Sequence, residues 1–363
     1  MTAPRLEIDL AKIHHNAHTL VERLGARGIS VTGVTKAALG STEIASTLLR
    51  AGVTGIGDSR IDNIEAMRAA RVPGRMTLIR SPMMSQVDRV VRHAEVSCNT
   101  EIDVVRALSA AAGASGRTHG ILLMVELGDL REGIMPGDVA DIARRTLSFP
   151  HLTLEGIGTN LACHSGVAPG PANMEELSAL ADAVETAVGH PLAVVSGGNS
   201  ASLDWALGSA SIGRINNLRL GESILLGREP LHRQVIEGLH TDAITLVAEV
   251  IESKDKPSQP WGEIAEAAFG HPAPARDRGN RRRAILALGE QDTDPAGLAP
   301  PGGLAIVGAS SDHLIVDAGD LPLALGAEVR FELSYSALVR AMTSPFVAKV
   351  AKVRSRKLLP PVR

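Results

Sequence analysis

Short apolar runs rich in β-branched residues alternate with amphipathic stretches over the first two-thirds of the chain. Residues 5–9 (Arg-Leu-Glu-Ile-Asp) alternate like an initial strand, and 10–24 read as an amphipathic helix. The run 29–34 (Ile-Ser-Val-Thr-Gly-Val) is the next strand and gives out at Lys36. Ser41 or Thr42 then caps a helix running to Arg50. Residues 52–58 predict a second strand and a helix to Arg71, 75–81 a third strand closed by Pro82, and 95–99 a fourth before an alanine-rich helix at 101–112. The fifth, 121–127 (Ile-Leu-Leu-Met-Val-Glu-Leu), is almost unbroken in apolar character, as a strand covered on both faces should be. It enters the loop 128–133, and further strands follow at 152–161, 192–200 and 215–225, with a helix at 174–188.

Eight strand–helix units in succession from residue 29 predict an α/β fold, a (β/α)8 TIM-type barrel, with an open doubly wound sheet as the second choice. A barrel collects its chemistry at the C-terminal ends of its strands. Lys36, Asp58, Asn99, Arg131, Asn160, Ser200 and Arg219 all fall at or just beyond such ends. A lysine shielded from water there has a lowered pKa and can form a Schiff base with an aldehyde. The plain alternative is an ammonium standing in solvent. Ser196-Gly-Gly-Asn-Ser200 and Arg219-Leu-Gly221 follow the seventh and eighth strands, where many barrels bind phosphate through backbone N–H groups.

Near residue 235 the pattern changes. Residues 243–252, 284–287, 303–308, 314–316 and 329–333 are strand-like, with little helix until 336–342. The division predicted is a barrel over 1–234 and a mostly β domain over 235–363. The basic, proline-containing stretch 271–283 reads as a surface loop, and the basic tail 349–363 is expected to fray.

Composition fits this picture. The 363 residues accommodate a barrel of ~250 and a second domain of ~120. Aromatic residues are only 2%, so the core is aliphatic and stacking platforms for single-stranded nucleic acid are not expected. A net charge of -3 gives no general attraction to nucleic acid or anionic membranes. No stretch has signal-peptide or membrane-span character, and Cys98 and Cys163, in strand-like segments, show no metal-ligand spacing. A cytoplasmic protein without a metal site is the expectation.

Several stretches together are similar to one family. They are Val34-Thr-Lys36, Gly57-Asp-Ser-Arg60, Leu127-Gly-Asp-Leu-Arg-Glu-Gly-Ile134, Gly156-Ile-Gly-Thr-Asn-Leu161, Ser196-Gly-Gly-Asn-Ser200 and 215–227, with 256–258, Gly262-Glu263, 309–317 and 341–346 in the second domain. The chain resembles the fold-type III pyridoxal-phosphate racemases, in the ornithine racemase branch of the alanine racemase group. The resemblance implies an isomerase that uses pyridoxal 5'-phosphate and two-base transfer of the Cα proton, through an aldimine, on ornithine or a similar basic amino acid. It also implies a homodimer in which each β domain completes the partner's active site.

Residue by residue, Lys36 matches the lysine that carries the cofactor and serves as one base. Arg219 matches the arginine on the pyridine nitrogen, and Asn160 stands where alanine racemases place a histidine against the ring. Asn199 and Ser200 match the turn by the phosphate, with N–H groups of Gly221 and Glu222 as further donors. Arg131, Ser311 and Asp312 match substrate contacts, Asp312 as the candidate for a distal ammonium. Glu263 stands where alanine racemases carry the second base, a tyrosine, and Tyr335, read as a strand residue, is its rival. Met124 occupies the place of a lysine that is carbamylated in many alanine racemases. Alternatives are racemisation of another amino acid such as alanine, a fold-type III lyase or decarboxylase, a non-catalytic pyridoxal-phosphate carrier, or a cofactor-free racemase using the two cysteines.

Overall fold

Strand β1 (Arg5–Asp9) and helix α1 (Leu10–Gly25) open the chain, and eight parallel strands follow. They are β2 (Ser30–Val34), β3 (Gly55–Asp58), β4 (Met76–Leu78), β5 (Val96–Asn99), β6 (His119–Met124), β7 (Leu152–Gly158), β8 (Val194–Ser196) and β9 (Asn217–Leu220). Each is followed by a helix: α2 (Thr42–Arg50), α3 (Ile61–Ala69), α4 (Val87–His93), α5 (Ile102–Ala114), α6 (Val139–Leu147), α7 (Pro171–Val188), α8 (Leu203–Leu207) and α9 (Glu222–Leu226). The strands pair in order, and β9 pairs with β2 through Ser30↔Asn217 to Gly33↔Leu220, closing the barrel. The computed structural model describes residues 3–266, 269 and 277–352.

Pleat parity sorts the strands into two faces. Gly33 faces α2, where an added Cβ would lie 3.0 Å from Leu48. Thr32 and Val34 therefore face the barrel interior, and Asn217 Nδ2 donates to Thr32 Oγ1 at 3.1 Å. The interior carries an aliphatic layer of Val96, Cys98, Leu122 and Met124, with Ile79 and Val194 against it. Burying one such large apolar side chain is worth about 1.5–3 kcal/mol. At the start of α2 the cap is Ser41, whose Oγ accepts from Ile44 N at 3.3 Å.

The contacts divide the chain into Ala11–His240 and a second unit of Met1–Leu10 with Thr241–Arg363. The expectation that residues 1–10 belong with the barrel, and that the break falls at 234, is corrected here. Strand β1 lies between β10 (Ile244–Pro257), to which it is antiparallel, and β16 (Ala348–Lys352), to which it is parallel. The alternating pattern that predicted a strand says nothing about which sheet takes it. The other strands of this unit are β11 (Asn280–Leu286), β12 (Leu298–Ala299), β13 (Ala305–Ala309), β14 (Leu314–Asp317) and β15 (Glu328–Leu333). Their order is β12-β15-β10-β11-β14-β13, and α10 (Tyr335–Thr343) follows β15.

Two further expectations change. Arg281, Arg282 and Arg283 are not loop but part of β11, paired with Lys256, Asp255 and Lys254 of β10. Residues 349–352 do not fray; they form β16, while 353–363, like 271–276 of the basic stretch, lie outside the described residues. The sheet also holds a buried ion network. Arg5 donates to Glu7 at 2.7 Å and to Glu328 at 2.6 Å, and Arg330 and Lys352 also reach Glu7. No described helix is long and apolar enough to cross a membrane.

Candidate active site

Lys36 begins a 3-10 turn, separated from the end of β2 by Thr35 alone, and is half-buried. Its position is fixed from behind. Thr35 N donates to Gly57 O at 3.0 Å, and Thr35 Oγ1 donates to Asp58 Oδ2 at 2.8 Å. Asp58 is fully buried and accepts two more bonds, from Arg60 N and Asn63 Nδ2, both at 2.9 Å. Burial pushes the Asp58 pKa up against those bonds. Burial likewise lowers the Lys36 pKa, helped by Arg131 and opposed by Cys163, Asp58 and Glu132. The result is an amine that gives up its proton more readily than an ordinary lysine.

Arg219, 6% exposed, projects into the same barrel end from β9. Nη1 donates to Ser196 Oγ at 2.6 Å, and Nη2 donates to Thr159 O at 2.8 Å and Asn160 Oδ1 at 3.4 Å. Gly158 makes the room, since a Cβ there would stand 3.0 Å from Ser196 Cβ and 3.5 Å from Arg219 Nη1. Burial lowers the pKa of this arginine, yet a guanidinium starts so high that it remains a cation.

Asn199 and Ser200 lie between the ends of β8 and β9. Asn199 Nδ2 donates to Asn160 Oδ1 at 3.1 Å and to Leu161 O at 2.9 Å, tying the ends of β7 and β8 together. Ser200 Oγ lies 3.0 Å from Ser223 Oγ and accepts from Ser223 N at 3.2 Å. The first N–H groups of a helix have no acceptor within it, so α9 presents donors beside these hydroxyls. Gly221 packs on β2, where a Cβ would lie 3.1 Å from Val34 O. A fixed cation, an amine whose pKa burial lowers and a hydroxyl-lined turn thus share the C-terminal end of one barrel. That set can hold an anion and offer a base or nucleophile.

The loops after β6 and β7 supply features that sequence reasoning missed. Asp129, buried, accepts N–H bonds from Cys163 at 3.3 Å, His164 at 2.9 Å, Ser165 at 3.2 Å and Val167 at 3.4 Å. Burial alone would raise its pKa, but these donors prevail and hold it below the usual value. Arg131 Nη1 donates to Cys163 Sγ at 2.7 Å, and Nε and Nη2 grip Glu132. Asp129 and Arg131 therefore latch two loops that are over 30 residues apart. Cys163 is not in a strand, as the apolar context suggested, but exposed in the second of these loops. Cys98 is buried in the barrel interior, and burial pushes its thiol up to about 11, which makes it a poor base for a cysteine pair. Asn99 donates its amide to Ser97 O at 2.7 Å and Ser97 Oγ at 2.9 Å.

The barrel unit thus brings together Lys36, Arg131, Asn160, Asn199, Ser200, Arg219, Gly221 and Glu222. Glu263, Ser311 and Asp312 belong to the β unit. Glu263 is exposed, after β10, next to Gly262 with φ +101°. Asp312 sits in the turn between β13 and β14, where its carboxylate accepts from Ser311 Oγ at 3.2 Å and His313 Nδ1 at 2.7 Å. Tyr335 is not a strand residue: Ser334 Oγ accepts from Ala337 N, a cap that makes Tyr335 the first residue of α10.

Residues 8–229 match the family described as alanine racemase, N-terminal domain. The chain is 40% identical to a lysine racemase of Thermotoga maritima over 354 residues, covering 96% of this chain and 99% of that one. It is 38% identical to an ornithine racemase of Acetoanaerobium sticklandii over 352 residues, covering 95% and 99%. Among solved structures, alanine racemase from Streptomyces lavendulae superposes with a TM-score of 0.78 at 19% identity, covering 97% of this chain and 98% of that one, a likeness of fold. The family match and two near full-length relatives agree with the barrel and its rim: this chain belongs to the alanine racemase family.

Proposed function

We propose that this chain is a pyridoxal 5'-phosphate-dependent racemase of ornithine or a similar basic amino acid such as lysine. The observation that carries the reading is the juxtaposition of Lys36, whose pKa burial lowers, with the buried guanidinium of Arg219 and the Asn199–Ser200 turn. The donor set suits the cofactor: an amine, a buried guanidinium and a hydroxyl-lined turn lie at one barrel end, and Gly158 lets the Arg219 guanidinium pack against the wall. Lys36 would hold it covalently, Arg219 and Asn160 would face its ring, and Asn199, Ser200 and the N–H groups of Gly221 and Glu222 would take its phosphate. When bound, pyridoxal phosphate supplies an electron sink that acidifies the substrate Cα–H. Arg219, which keeps its own proton, would leave the pyridine nitrogen without one and so temper that sink.

The chain's own groups then move the proton. Lys36 Nζ takes or returns it on one face of Cα. Racemisation needs a second group on the opposite face, and Glu263 of the partner subunit's β unit is our candidate in a homodimer. Arg131, held by Glu132 and Cys163, orients the substrate carboxylate. The two relatives of near full length, a lysine and an ornithine racemase, support a basic substrate. The test is deuterium incorporation from heavy water across a panel of L-amino acids with the cofactor-loaded enzyme. Exchange accompanied by appearance of the D-enantiomer, greatest for ornithine or lysine, is the expected result. Loss of carbon dioxide or aldol cleavage instead would overturn racemisation, and a preference for alanine would overturn the substrate class.

A further inference from the structure

The first residue of α9, Glu222, carries a carboxylate that cofactor binding does not use. Strand β9 pairs with β2 up to Gly33↔Leu220, and Gly221, the next residue, packs on Val34, where a Cβ would lie 3.1 Å from Val34 O. Glu222 therefore opens α9 at the rim beside the end of β2, which leads into Lys36. The Glu222 side chain is only 14% exposed, and its one partner within the barrel unit is Arg233, itself 58% exposed. That bond uses Oε1, so within the barrel unit Oε2 accepts no hydrogen bond. Burial raises the Glu222 pKa, while Arg233 and Lys36 pull it back. A desolvated carboxylate with an unused oxygen gains from a further cation.

The other carboxylates that Lys36 feels are already occupied. Asp58 accepts three hydrogen bonds behind the barrel wall, and Glu132 is gripped through both oxygens by Arg131. Asp129, in the same loop as Glu132, is surrounded by backbone N–H groups. Glu222 alone among these combines burial, proximity to Lys36 and spare acceptor capacity.

We infer that the Glu222 carboxylate, in place of Asp312, receives the distal ammonium of the substrate and selects basic over uncharged amino acids. This rests on the racemase reading above and deepens it. Arg233 holds the carboxylate in the free enzyme, and the entering ammonium supplements or replaces it. A side chain one methylene longer or shorter shifts the ammonium by about one carbon–carbon bond, which a carboxylate with one free oxygen can follow.

The experiment measures kcat/KM of the cofactor-loaded enzyme for L-ornithine and L-lysine and for their uncharged counterparts L-norvaline and L-norleucine. In E222Q, which keeps shape and backbone N–H, the charged-to-uncharged ratio should fall about ten- to a hundredfold, the worth of one charge-assisted hydrogen bond. In E222D, which withdraws the carboxylate by one methylene, the lysine-to-ornithine ratio should rise. An unchanged ratio in E222Q, or an equal loss on charged and uncharged substrates, overturns the assignment. The second outcome would place Glu222 in the handling of Lys36. A wild-type enzyme that racemises neither ornithine nor lysine fails at an earlier point, the function itself, and is told apart by needing no variant.

Discussion

Replacing Asp129 by asparagine tests whether the latch between the β6 and β7 loops organises the site. The carboxylate meets four backbone N–H groups, and the donors approach both oxygens, so no amide orientation satisfies them all. With the amide nitrogen in place of Oδ2, the His164 N–H at 2.9 Å faces another donor. One orphaned buried donor costs about 1–3 kcal/mol, and the remaining bonds lose their charge assistance, roughly half their strength. The latch should weaken by about 2–4 kcal/mol, or roughly thirty- to a thousandfold in the opening equilibrium. Hydrogen exchange of the amides at 163–167 should accelerate by up to that factor at neutral pH, and KM should rise because Arg131 loses its hold on Cys163. The sign with pH is fixed by the depressed Asp129 pKa. Its stabilisation is complete above the unfolded value near 3.8 and disappears as pH falls through the folded value, so wild type and variant converge in acid. Exchange at 163–167 within threefold of wild type at neutral pH would refute the reasoning.

Lys36 makes a prediction about the cofactor-free protein. Between its lowered folded pKa and the ordinary 10.5 the unfolded chain carries one more proton, so stability relative to Lys36→Met should rise with pH through that window in urea melts; a flat difference contradicts a buried amine. Borohydride reduction of the loaded enzyme should fix the cofactor to Lys36, and peptide mapping that finds another lysine sinks the assignment. Glu263→Gln should slow Cα-proton exchange from one enantiomer far more than from the other, whereas equal slowing or normal turnover removes it from the mechanism. In the β unit, the network around Glu7 holds its carboxyl near 2 despite burial. The shift from 4.5 corresponds to about 3 kcal/mol at neutral pH, so Glu7→Gln should destabilise by roughly that amount. The difference should vanish as pH falls from about 4.5 towards 2, because the depressed carboxylate is then protonated in both states; a pH-independent difference would mean packing, not charge.

Hydrophobic period and strand ends made the barrel legible, because a strand covered on both faces must be apolar whatever its neighbours are. Lys36, Arg131, Ser200 and Arg219 could be placed at its rim for the same reason: the end of an apolar run is visible in the letters. Partnership was not. Asp129 read as one more loop acid, since its role depends on four N–H groups more than 30 residues later. Glu222 was noticed only for its backbone, because burial of a carboxylate beside a strand terminus has no local signature. Strand β1 alternates like a strand in any sheet, and only the pairing with β10 and β16 assigns it.

Closure of the barrel makes a site out of residues that are far apart in the chain. Lys36 follows the first strand of the ring and Arg219 lies in the last, and the pairing of β2 with β9 makes those two strands neighbours across a single hydrogen-bonded seam. In an open doubly wound sheet the strands bearing them need not touch, and no single pocket would follow from the sequence order. The seam is also where side-chain volume is removed: Gly221 lets β9 pack on Val34, and Gly158 clears the wall for the Arg219 guanidinium. A methyl group at either position would act on the amine and the guanidinium through the barrel wall without touching a ligand. The identity of these glycines is therefore part of the chemistry as much as the charged groups they admit.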